Sequence, residues 1–169
     1  RNIDDLDGGK DNNALYKSLT HGVPPVLEHF TSDDEQAEYI KALLEKSGSP
    51  LSHTCVVART TAELIVIRDK LVILGLATSV IEPSEVDNND DAVKMATIHR
   101  VKGLEFDQLI LASANEGLVP LAIAMASKAD KISVQEAETE ERSLVYVAIT
   151  RARKQAYVLS YSVMSQFFR

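Results

Sequence analysis

The residues whose types and spacing best suit binding chemistry lie between Thr97 and Asp107, in the stretch TIHRVKGLEFD, which two apolar segments flank. Lys102 supplies a point charge, and the adjacent Gly103 allows a phosphate to approach the backbone closely. The Glu105 carboxylate can accept a hydrogen bond from a ribose hydroxyl. By itself the stretch is typical of a solvated basic surface loop, and these residue types leave contact with a phosphorylated ligand open.

A second stretch, EERSLVYVAITRAR from Glu140 to Arg153, combines an apolar helical stripe with arginines near its end. Val147 and Arg151 are four residues apart and therefore share one face of a helix. An arginine at this position can bind an anionic ligand, or it can extend its stem along apolar surface and complement the helix dipole. The spacing alone leaves both interpretations open.

Alternating strands and helices have to position these two stretches. Apolar and β-branched segments predict strands at residues 26–30, 54–58, 77–81, 93–98, 108–113 and 156–160. Ser32 and Thr60 each precede a glutamate by three residues, the capping-box spacing that begins a helix, in which each side chain accepts a hydrogen bond from the other residue's backbone N–H. A further helix is predicted over 136–152, whereas residues 115–131 show no regular pattern. The alternation predicts an α/β fold with a mainly parallel central sheet in three layers, whose ligands bind at the carboxyl ends of the strands.

The composition is that of a globular chain, but the charge is unevenly distributed. Apolar residues make up 45% of the 169 residues and charged residues 25%, which excludes a largely disordered chain. The single cysteine, Cys55, excludes an internal disulfide, and the four histidines show no metal-ligand spacing, so no metal site is predicted. The formal net charge is −7, with 17 acidic and 8 basic residues in 1–92 but 8 acidic and 10 basic residues in 93–169. A polyanion is therefore expected to bind the second half.

The organisation of the chain predicts one domain behind a short lead-in. Residues 1–25 contain paired glycines and paired prolines and are expected to be extended, and residues 26–169 are expected to form the domain. No apolar run approaches the roughly 18 residues that span a bilayer, and no signal-peptide pattern is present, so we expect a cytoplasmic protein without a membrane partner. Because the first residue is Arg1 and not Met, we expect the chain to be a fragment of a longer protein.

Taken together, the two charged stretches resemble the motifs of a known enzyme family. TIHRVKGLEF resembles the T-x-H-x-x-K-G-L-E-F motif of superfamily 1 DNA helicases of the UvrD/Rep/PcrA type, and EERSLVYVAITRA resembles their E-E-R-R-L-x-Y-V-A-x-T-R-A motif. NEGLVP, at 115–120, is similar to the E-G-x-x-P segment between those motifs. VVARTTAEL, at 56–64, is similar to the family's strand followed by R-T-N. The resemblance covers about residues 51–162.

The resemblance implies a RecA-like fold and the second motor domain of an ATP-driven 3′-to-5′ DNA translocase. In that family the nucleotide lies in a cleft between two such domains, and the first domain carries the phosphate loop and the acidic Mg²⁺ ligands. No G-x-x-x-x-G-K-[ST] occurs in this sequence. The implied cofactors are therefore ATP and Mg²⁺, and the implied partners are single-stranded DNA and a missing N-terminal RecA-like domain. The isolated chain is expected not to hydrolyse ATP.

Carried over residue by residue, the resemblance implies roles for polar residues of the matching motifs. Arg151 is expected to act in catalysis by neutralising charge on the γ-phosphate. The residues expected to contact the nucleotide are Gly103, Glu105, Thr150 and Arg151. The residues expected to contact single-stranded DNA are Arg59, Thr97, His99 and Lys102.

The sequence also departs from the family pattern. Only about 20 residues separate Gly75 from Met95, where Rep-like relatives insert a large accessory domain, so that insertion is expected to be absent. Thr61 replaces the family's asparagine, which weakens any DNA contact assigned to that position. The family's N-Y-R-S/T motif is missing, and residues 16–18 are only similar to part of it.

Two further interpretations compete with a helicase motor domain. The first is a helicase-derived module that binds DNA or protein and has no ATPase activity. The second is a generic nucleotide-binding α/β domain, against which the missing phosphate loop argues. Retention of Glu105, Thr150 and Arg151 together favours the motor domain, because a module without ATP chemistry has little need of these residues.

Overall fold

Within residues 24–82, 91–126 and 129–169, which the computed structural model describes, six parallel strands form one sheet. In chain order the strands are β1 (Val26–His29), β2 (Thr54–Ala58), β3 (Thr78–Val80), β4 (Val93–Thr97), β5 (Phe106–Leu111) and β6 (Ala152–Ser160). Their order across the sheet is β1-β6-β5-β2-β4-β3. Every neighbouring pair is parallel, which confirms the predicted α/β class with its parallel central sheet.

Helices cover both faces of the sheet and produce the predicted three layers. The helices are α1 (Asp33–Ser47), α2 (Thr61–Ile73), α3 (Ala122–Ala126) and α4 (Lys131–Ile149), with 3₁₀ turns at Leu51–His53 and Gln166–Phe168. On one face, Ile40 of α1 and Leu71 of α2 share a buried cluster with Ile110 of β5. On the other face, Val145 of α4 packs in a second buried cluster with Leu109 of β5.

The position of β2 in the sheet explains the nearly continuous apolar run in its sequence. All five of its residues are buried, because β2 lies between β4 and β5 and is covered on both faces. Val56 packs in the cluster of α1 and α2, whereas Cys55 and Val57 pack in the cluster of α4. Burial raises the pKa of the Cys55 thiol, as expected for a small core residue.

The helix predicted over 136–152 lies over Lys131–Ile149 instead. It begins earlier because the Asp130 carboxylate accepts a hydrogen bond from the Ser133 backbone N–H at 2.8 Å, an N-cap that the apolar pattern did not reveal. It ends earlier because Ala152 already pairs with Phe106 as the first residue of β6. The polar start of β6 is therefore held in the sheet by its ladder of hydrogen bonds and not by apolar burial.

Other boundaries differ by smaller amounts. Strand β5 begins at Phe106, before the predicted Gln108, and ends before Ser113, which adopts a left-handed backbone with φ of 57°. The short helix α3 lies inside 115–131, which had been expected to be irregular. Only 81–92 connect β3 to β4, and 83–90 lie outside the described residues. Of the predicted lead-in, residues 1–23 lie outside the described part of the chain, so that boundary stays a prediction.

Both capping-box predictions are correct for the first hydrogen bond, in which the Ser or Thr hydroxyl accepts from the glutamate N–H. They are wrong for the second, because neither glutamate carboxylate accepts from the N–H of the capping residue. Ser32 accepts from the Glu35 backbone N–H at 3.2 Å, but the Glu35 carboxylate accepts from the Thr31 N–H at 3.0 Å and not from that of Ser32. The Thr31 hydroxyl also donates to the Glu35 carboxylate, at 2.8 Å, and the two hydrogen bonds from Thr31 lower the pKa of Glu35. Thr60 likewise accepts from the Glu63 N–H at 3.2 Å, while the Glu63 carboxylate binds hydroxyl groups elsewhere.

The Glu63 carboxylate belongs to a polar cluster at the carboxyl edge of the sheet, formed with Gln36, Ser113 and Tyr161. It accepts hydrogen bonds from the Ser113 hydroxyl at 2.8 Å and from the Tyr161 hydroxyl at 2.7 Å. The Gln36 side chain accepts from the Ser113 N–H at 2.7 Å and donates to its hydroxyl at 3.1 Å. Because the four residues come from α1, α2, the end of β5 and the end of β6, the cluster joins both helices of one layer to the sheet.

We expect Leu71→Ala to lower the free energy of unfolding of the 169-residue chain by about 2–5 kcal/mol, because it leaves a cavity in the core. Leu71 is fully buried, at 0% exposure. Ile73→Ala is the matched control in the same helix, since Ile73 is 82% exposed, and its effect should stay within about 0.5 kcal/mol. Urea unfolding followed by circular dichroism measures both. Equal effects of the two substitutions would contradict the described burial of α2.

Tyr161 should make the stability of the fold depend on alkaline pH. Partial burial and the hydrogen bond to Glu63 raise the pKa of Tyr161 from 10.0 to about 12. Since the folded state holds this proton more tightly, the stabilisation is fully present below pH 10.0 and is lost as the pH rises towards about 12. We therefore expect the stability difference between wild type and Tyr161→Phe to shrink over that interval in urea unfolding. Tyr146→Phe, at an exposed tyrosine, serves as the control, and a difference independent of pH would contradict the assignment.

Candidate functional site

Four of the eight predicted site residues lie in residues 98–105, called here the crossing segment because it runs from the carboxyl edge of the sheet to the amino edge. It leaves β4 after Thr97, which pairs with Ala58 at the carboxyl end of β2. It enters β5 at Phe106, which pairs with the first residue of β6. Ile98 and Val101 are buried in the same cluster as α4 and hold the segment against that face. The crossing segment therefore connects a carboxyl edge and an amino edge of the domain.

The amino edge brings together the residues predicted to contact a nucleotide. The Phe106 N–H donates to the Arg151 carbonyl at 3.0 Å, so Glu105 and Arg151 occupy neighbouring backbone positions just before β5 and β6. Glu105 is exposed. Gly103 has φ of 84°, a left-handed conformation that favours glycine, and it is exposed in the turn before Glu105.

Thr150 and Arg151 form a hydrogen-bonded end to α4. The Thr150 hydroxyl lies 2.9 Å from the carbonyls of Tyr146 and Val147, to which it donates. The Arg151 Nε donates to the Val147 carbonyl at 3.1 Å, and one terminal nitrogen lies 3.5 Å from the Thr150 hydroxyl. Arg151 is half-buried, and no carboxylate of the described residues pairs with its guanidinium. The guanidinium of Arg151 is therefore held in one orientation, and no carboxylate in the described part of the domain neutralises its charge.

An ion cluster beside these residues was missed by sequence reasoning. The Asp107 carboxylate lies 3.3 Å from the His53 ring, 3.2 Å from the Arg153 guanidinium and 3.5 Å from the Lys154 ammonium. Partial burial would raise the pKa of Asp107, but Lys154 and Arg153 outweigh this effect and hold the pKa below its usual value. The sequence signal was the Arg-Lys pair that follows Thr150–Arg151–Ala152, whose partner is identifiable only from the pairing of β5 with β6.

The carboxyl edge holds three of the four residues predicted to contact DNA. Arg59 directly follows β2, Thr97 ends the neighbouring β4, and the Ile98 N–H donates to the Ala58 carbonyl at 2.9 Å. His99 is exposed. Partial burial lowers the pKa of His99, and the nearby Arg59 guanidinium lowers it further, while Glu141 opposes the shift. Lys102, the fourth residue, is exposed farther along the crossing segment, between the two edges.

The guanidinium of Arg59 is already occupied by a carboxylate. Its Nε and Nη2 donate to the two oxygens of Glu141 at 3.0 and 2.6 Å, and the side chains are 11% and 6% exposed. Glu141 also accepts from the Leu121 backbone N–H at 3.2 Å. Sequence reasoning noticed Glu141 only as part of a motif and missed this pairing. The DNA contact of Arg59 stays a prediction, and the structure shows this guanidinium in a contact within the domain.

No group of three His, Cys, Asp or Glu side chains in residues 24–82, 91–126 and 129–169 could hold a metal ion. Among the same residues, no helix is both long enough and apolar enough to cross a membrane. The partial match to the N-Y-R-S/T motif at 16–18 lies outside the described residues.

Comparison with solved structures agrees with the fold. The crystal structure of the C-terminal domain of a possible DNA helicase from Lactobacillus plantarum superposes with a TM-score of 0.64 at 17% sequence identity. The match covers 94% of this chain and 89% of that domain. At this level of identity the likeness concerns the architecture alone.

Sequence comparison identifies relatives among larger proteins. The chain is 35% identical over 85 residues to the ATP-dependent DNA helicase PcrA of Leuconostoc citreum and 32% identical over 88 residues to PcrA of Bacillus subtilis. It is 33% identical over 94 residues to the ATP-dependent DNA helicase Rep of Buchnera aphidicola. These matches cover 50%, 52% and 56% of this chain but only 10%, 11% and 13% of the relatives, so the chain matches about a tenth of their length.

A family comparison gives the most specific result. Residues 78–163, just over half of the chain, match the UvrD-like helicase C-terminal domain. This range contains both motifs singled out from the sequence, together with the crossing segment and the end of α4. The chain therefore belongs to the family of UvrD-like helicase C-terminal domains.

Proposed function

We propose that this chain is the C-terminal motor half of an ATP-dependent DNA helicase or translocase, which completes an ATP-binding cleft and contacts single-stranded DNA. Family membership and relatives named as ATP-dependent DNA helicases support a helicase-related role. The observation that carries the finer proposal is the half-buried Arg151, which has no carboxylate partner among the described residues and lies beside Glu105. An oriented, unneutralised arginine at one edge of a domain suits an anionic ligand shared with a second domain.

Arg151 is suited to stabilise charge during phosphoryl transfer. A guanidinium presents parallel N–H groups that can bind two oxygens of a phosphate, and it stays protonated at all relevant pH values. The hydrogen bond from Nε to the Val147 carbonyl fixes the side chain, so less conformational entropy is lost when a phosphate binds. In this proposal Thr150 supports Arg151, because its hydroxyl is already bonded to the carbonyls of α4.

Glu105 and Gly103 would orient the nucleotide at the same edge. The exposed Glu105 carboxylate can accept a hydrogen bond from a ribose hydroxyl. The left-handed turn at Gly103 leaves its backbone open, since no heavy atom beyond its two chain neighbours lies within 4 Å of the position a Cβ would take. The nucleotide's sugar and phosphates could therefore approach the amino edge closely.

The ATP site would be completed by a second domain. Bound ATP would supply the phosphoryl group, and Mg²⁺ would neutralise charge on its phosphates. The described residues fit one side of such a site, because they offer an arginine and a ribose acceptor but no group of carboxylates for a metal ion. We therefore assign the Mg²⁺ ligands and the phosphate loop to an N-terminal RecA-like partner domain.

Single-stranded DNA would bind along the carboxyl edge and the crossing segment. His99 and Lys102 are exposed there, and Thr97 lies at the end of β4. The second half of the chain, which contains these residues, carries 10 basic and 8 acidic residues despite the net charge of −7. The pKa of His99 is lowered, which favours its neutral form, so the proposal relies on the Lys102 ammonium for the phosphate contact.

We expect Lys102→Ala to weaken binding of a fluorescein-labelled oligothymidylate to the 169-residue chain and to reduce the slope of log K against log salt by about 0.7, the release expected for one phosphate contact. Fluorescence anisotropy over a KCl series measures both quantities. Lys46→Ala removes the same charge from an exposed position on α1 and is the control. An unchanged slope in Lys102→Ala would contradict the contact.

In the longer helicase that we propose contains this domain, Arg151→Ala should lower kcat by roughly a thousandfold, because it removes charge stabilisation in the transition state. Glu105→Ala should mainly raise KM for ATP, by the equivalent of about 1–3 kcal/mol for a lost charged hydrogen bond. Steady-state ATPase kinetics at saturating DNA separate the two effects.

Arg68→Ala, at an arginine paired with Asp69 on α2, is the control for these kinetics and should leave both constants near the wild-type values. Near-normal kcat in a folded Arg151→Ala enzyme would overturn the catalytic assignment. That outcome would instead support a module that binds DNA or protein without ATPase activity.

A further inference from the structure

The ion pair between Arg59 and Glu141 has the geometry that a guanidinium otherwise forms with a phosphate. Two parallel hydrogen bonds, at 3.0 and 2.6 Å, join the guanidinium to both carboxylate oxygens. The pair is nearly enclosed, with 11% of the Arg59 side chain and 6% of the Glu141 side chain exposed. A DNA phosphate could use this guanidinium only by displacing the carboxylate.

Displacement would be costly because Glu141 is held by a third hydrogen bond and is buried. Its Oε2 also accepts from the Leu121 N–H at 3.2 Å, so the carboxylate is fixed by the loop after Pro120 as well as by Arg59. A buried carboxylate that loses its cation keeps its desolvation cost without compensation. A contact between the guanidinium and a solvent-exposed phosphate contributes less free energy than this desolvation costs. The free energy therefore favours the ion pair between Arg59 and Glu141 over a contact between Arg59 and a DNA phosphate.

The pair joins three segments that the sequence separates widely. Arg59 lies between β2 and α2, Glu141 lies in α4, and Leu121 lies directly before α3. Helix α4 continues for eight residues from Glu141 to Ile149, roughly 12 Å at the rise of an α-helix, and Arg151 follows two residues after its end. The buried Val145 and Ala148 fix this part of the helix against the sheet. The pair at the carboxyl edge and the arginine at the amino edge are thus attached to one rigid element.

We propose that Glu141 is a positioning residue that withholds Arg59 from DNA and uses it to fix the loop after β2 and the loop before α3 to α4. This inference rests on the proposed function, since it concerns the DNA that would bind the carboxyl edge. It assigns the contact with the DNA backbone to exposed cations of the crossing segment, such as Lys102, and not to Arg59. Arg59 then shapes the edge without touching the ligand.

The first test measures whether Arg59 is withheld and needs no DNA. The 169-residue chain is treated with phenylglyoxal, which modifies accessible guanidinium groups, and the rate at each arginine is followed by mass spectrometry. Arg59 should react severalfold more slowly than Arg153, whose side chain is 56% exposed although it also pairs with a carboxylate. Equal rates at the two arginines in the wild-type chain would overturn the proposal, and this comparison requires no variant to fold.

The same reaction in two variants identifies Glu141 as the cause. Glu141→Gln should raise the rate of modification at Arg59 severalfold. A neutral amide has one acceptor oxygen and cannot accept hydrogen bonds from both guanidinium nitrogens as the carboxylate does. Glu140→Gln removes the same charge from the exposed neighbouring residue and should leave the rate unchanged. Circular dichroism checks that both variants remain folded.

The second test measures how the affinity for DNA depends on salt in the variants. A merely structural role for the pair would not produce the contrasting behaviour of Arg59→Ala and Glu141→Gln that we expect. Arg59→Ala should leave the salt slope for oligothymidylate unchanged, whereas Glu141→Gln should steepen it by up to about 0.7 as the released guanidinium reaches a phosphate. Glu140→Gln again serves as the control. A slope reduced by about 0.7 in Arg59→Ala would show that Arg59 binds DNA directly and would overturn the proposal.

The two tests separate this inference from the proposed function. Absence of oligothymidylate binding by the wild-type chain and all variants would contradict the proposed DNA contact of the isolated domain. The reactivity of Arg59 would still decide, by itself, whether Glu141 withholds the guanidinium.

Discussion

The strand order imposes one constraint on which both candidate edges depend. Strands β4 and β5 lie on opposite sides of β2 and run in the same direction, so the chain must return along the sheet between them. Only residues 98–105 are available for this return, too few for the helix that usually connects parallel strands. Ile98 and Val101 supply the burial that holds this short segment in place, and the polar residues beside them are consequently exposed along its whole length. The same eight positions thereby reach two edges of one domain.

The architecture was predictable because local pattern and burial agree in the central strands. Continuous apolar runs such as TCVVA are required where a parallel strand is covered on both faces, and β2 has that environment. The errors lie where hydrogen bonds decide and apolar contacts do not. The start of α4 depends on one carboxylate, that of Asp130, and the start of β6 depends on the ladder with β5, so hydrophobic periodicity could reveal neither.

The candidate site was predictable in its membership but not in its pairings. The resemblance of the motifs to a helicase family indicated Glu105 and Arg151, and the structure places their backbones side by side. The partners of Arg59 and Asp107 depend on strand register and on the packing of α4, which no local pattern contains. A basic residue in a motif therefore cannot be assigned to an external anion until its internal carboxylate partners are known.

The position of β6 has a consequence for how the domain is made. Of the six described strands it is the last to be synthesised, yet it lies between β1 and β5, and its pairing with β1 joins Val26 to Tyr157. During synthesis on the ribosome, β1 has no partner among the described strands and one side of β5 remains an unpaired edge until β6 emerges. Pairing within the described sheet is consequently completed by β6, and a nascent chain that stops before residue 152 would expose β1 and one side of β5 to misassembly with other chains.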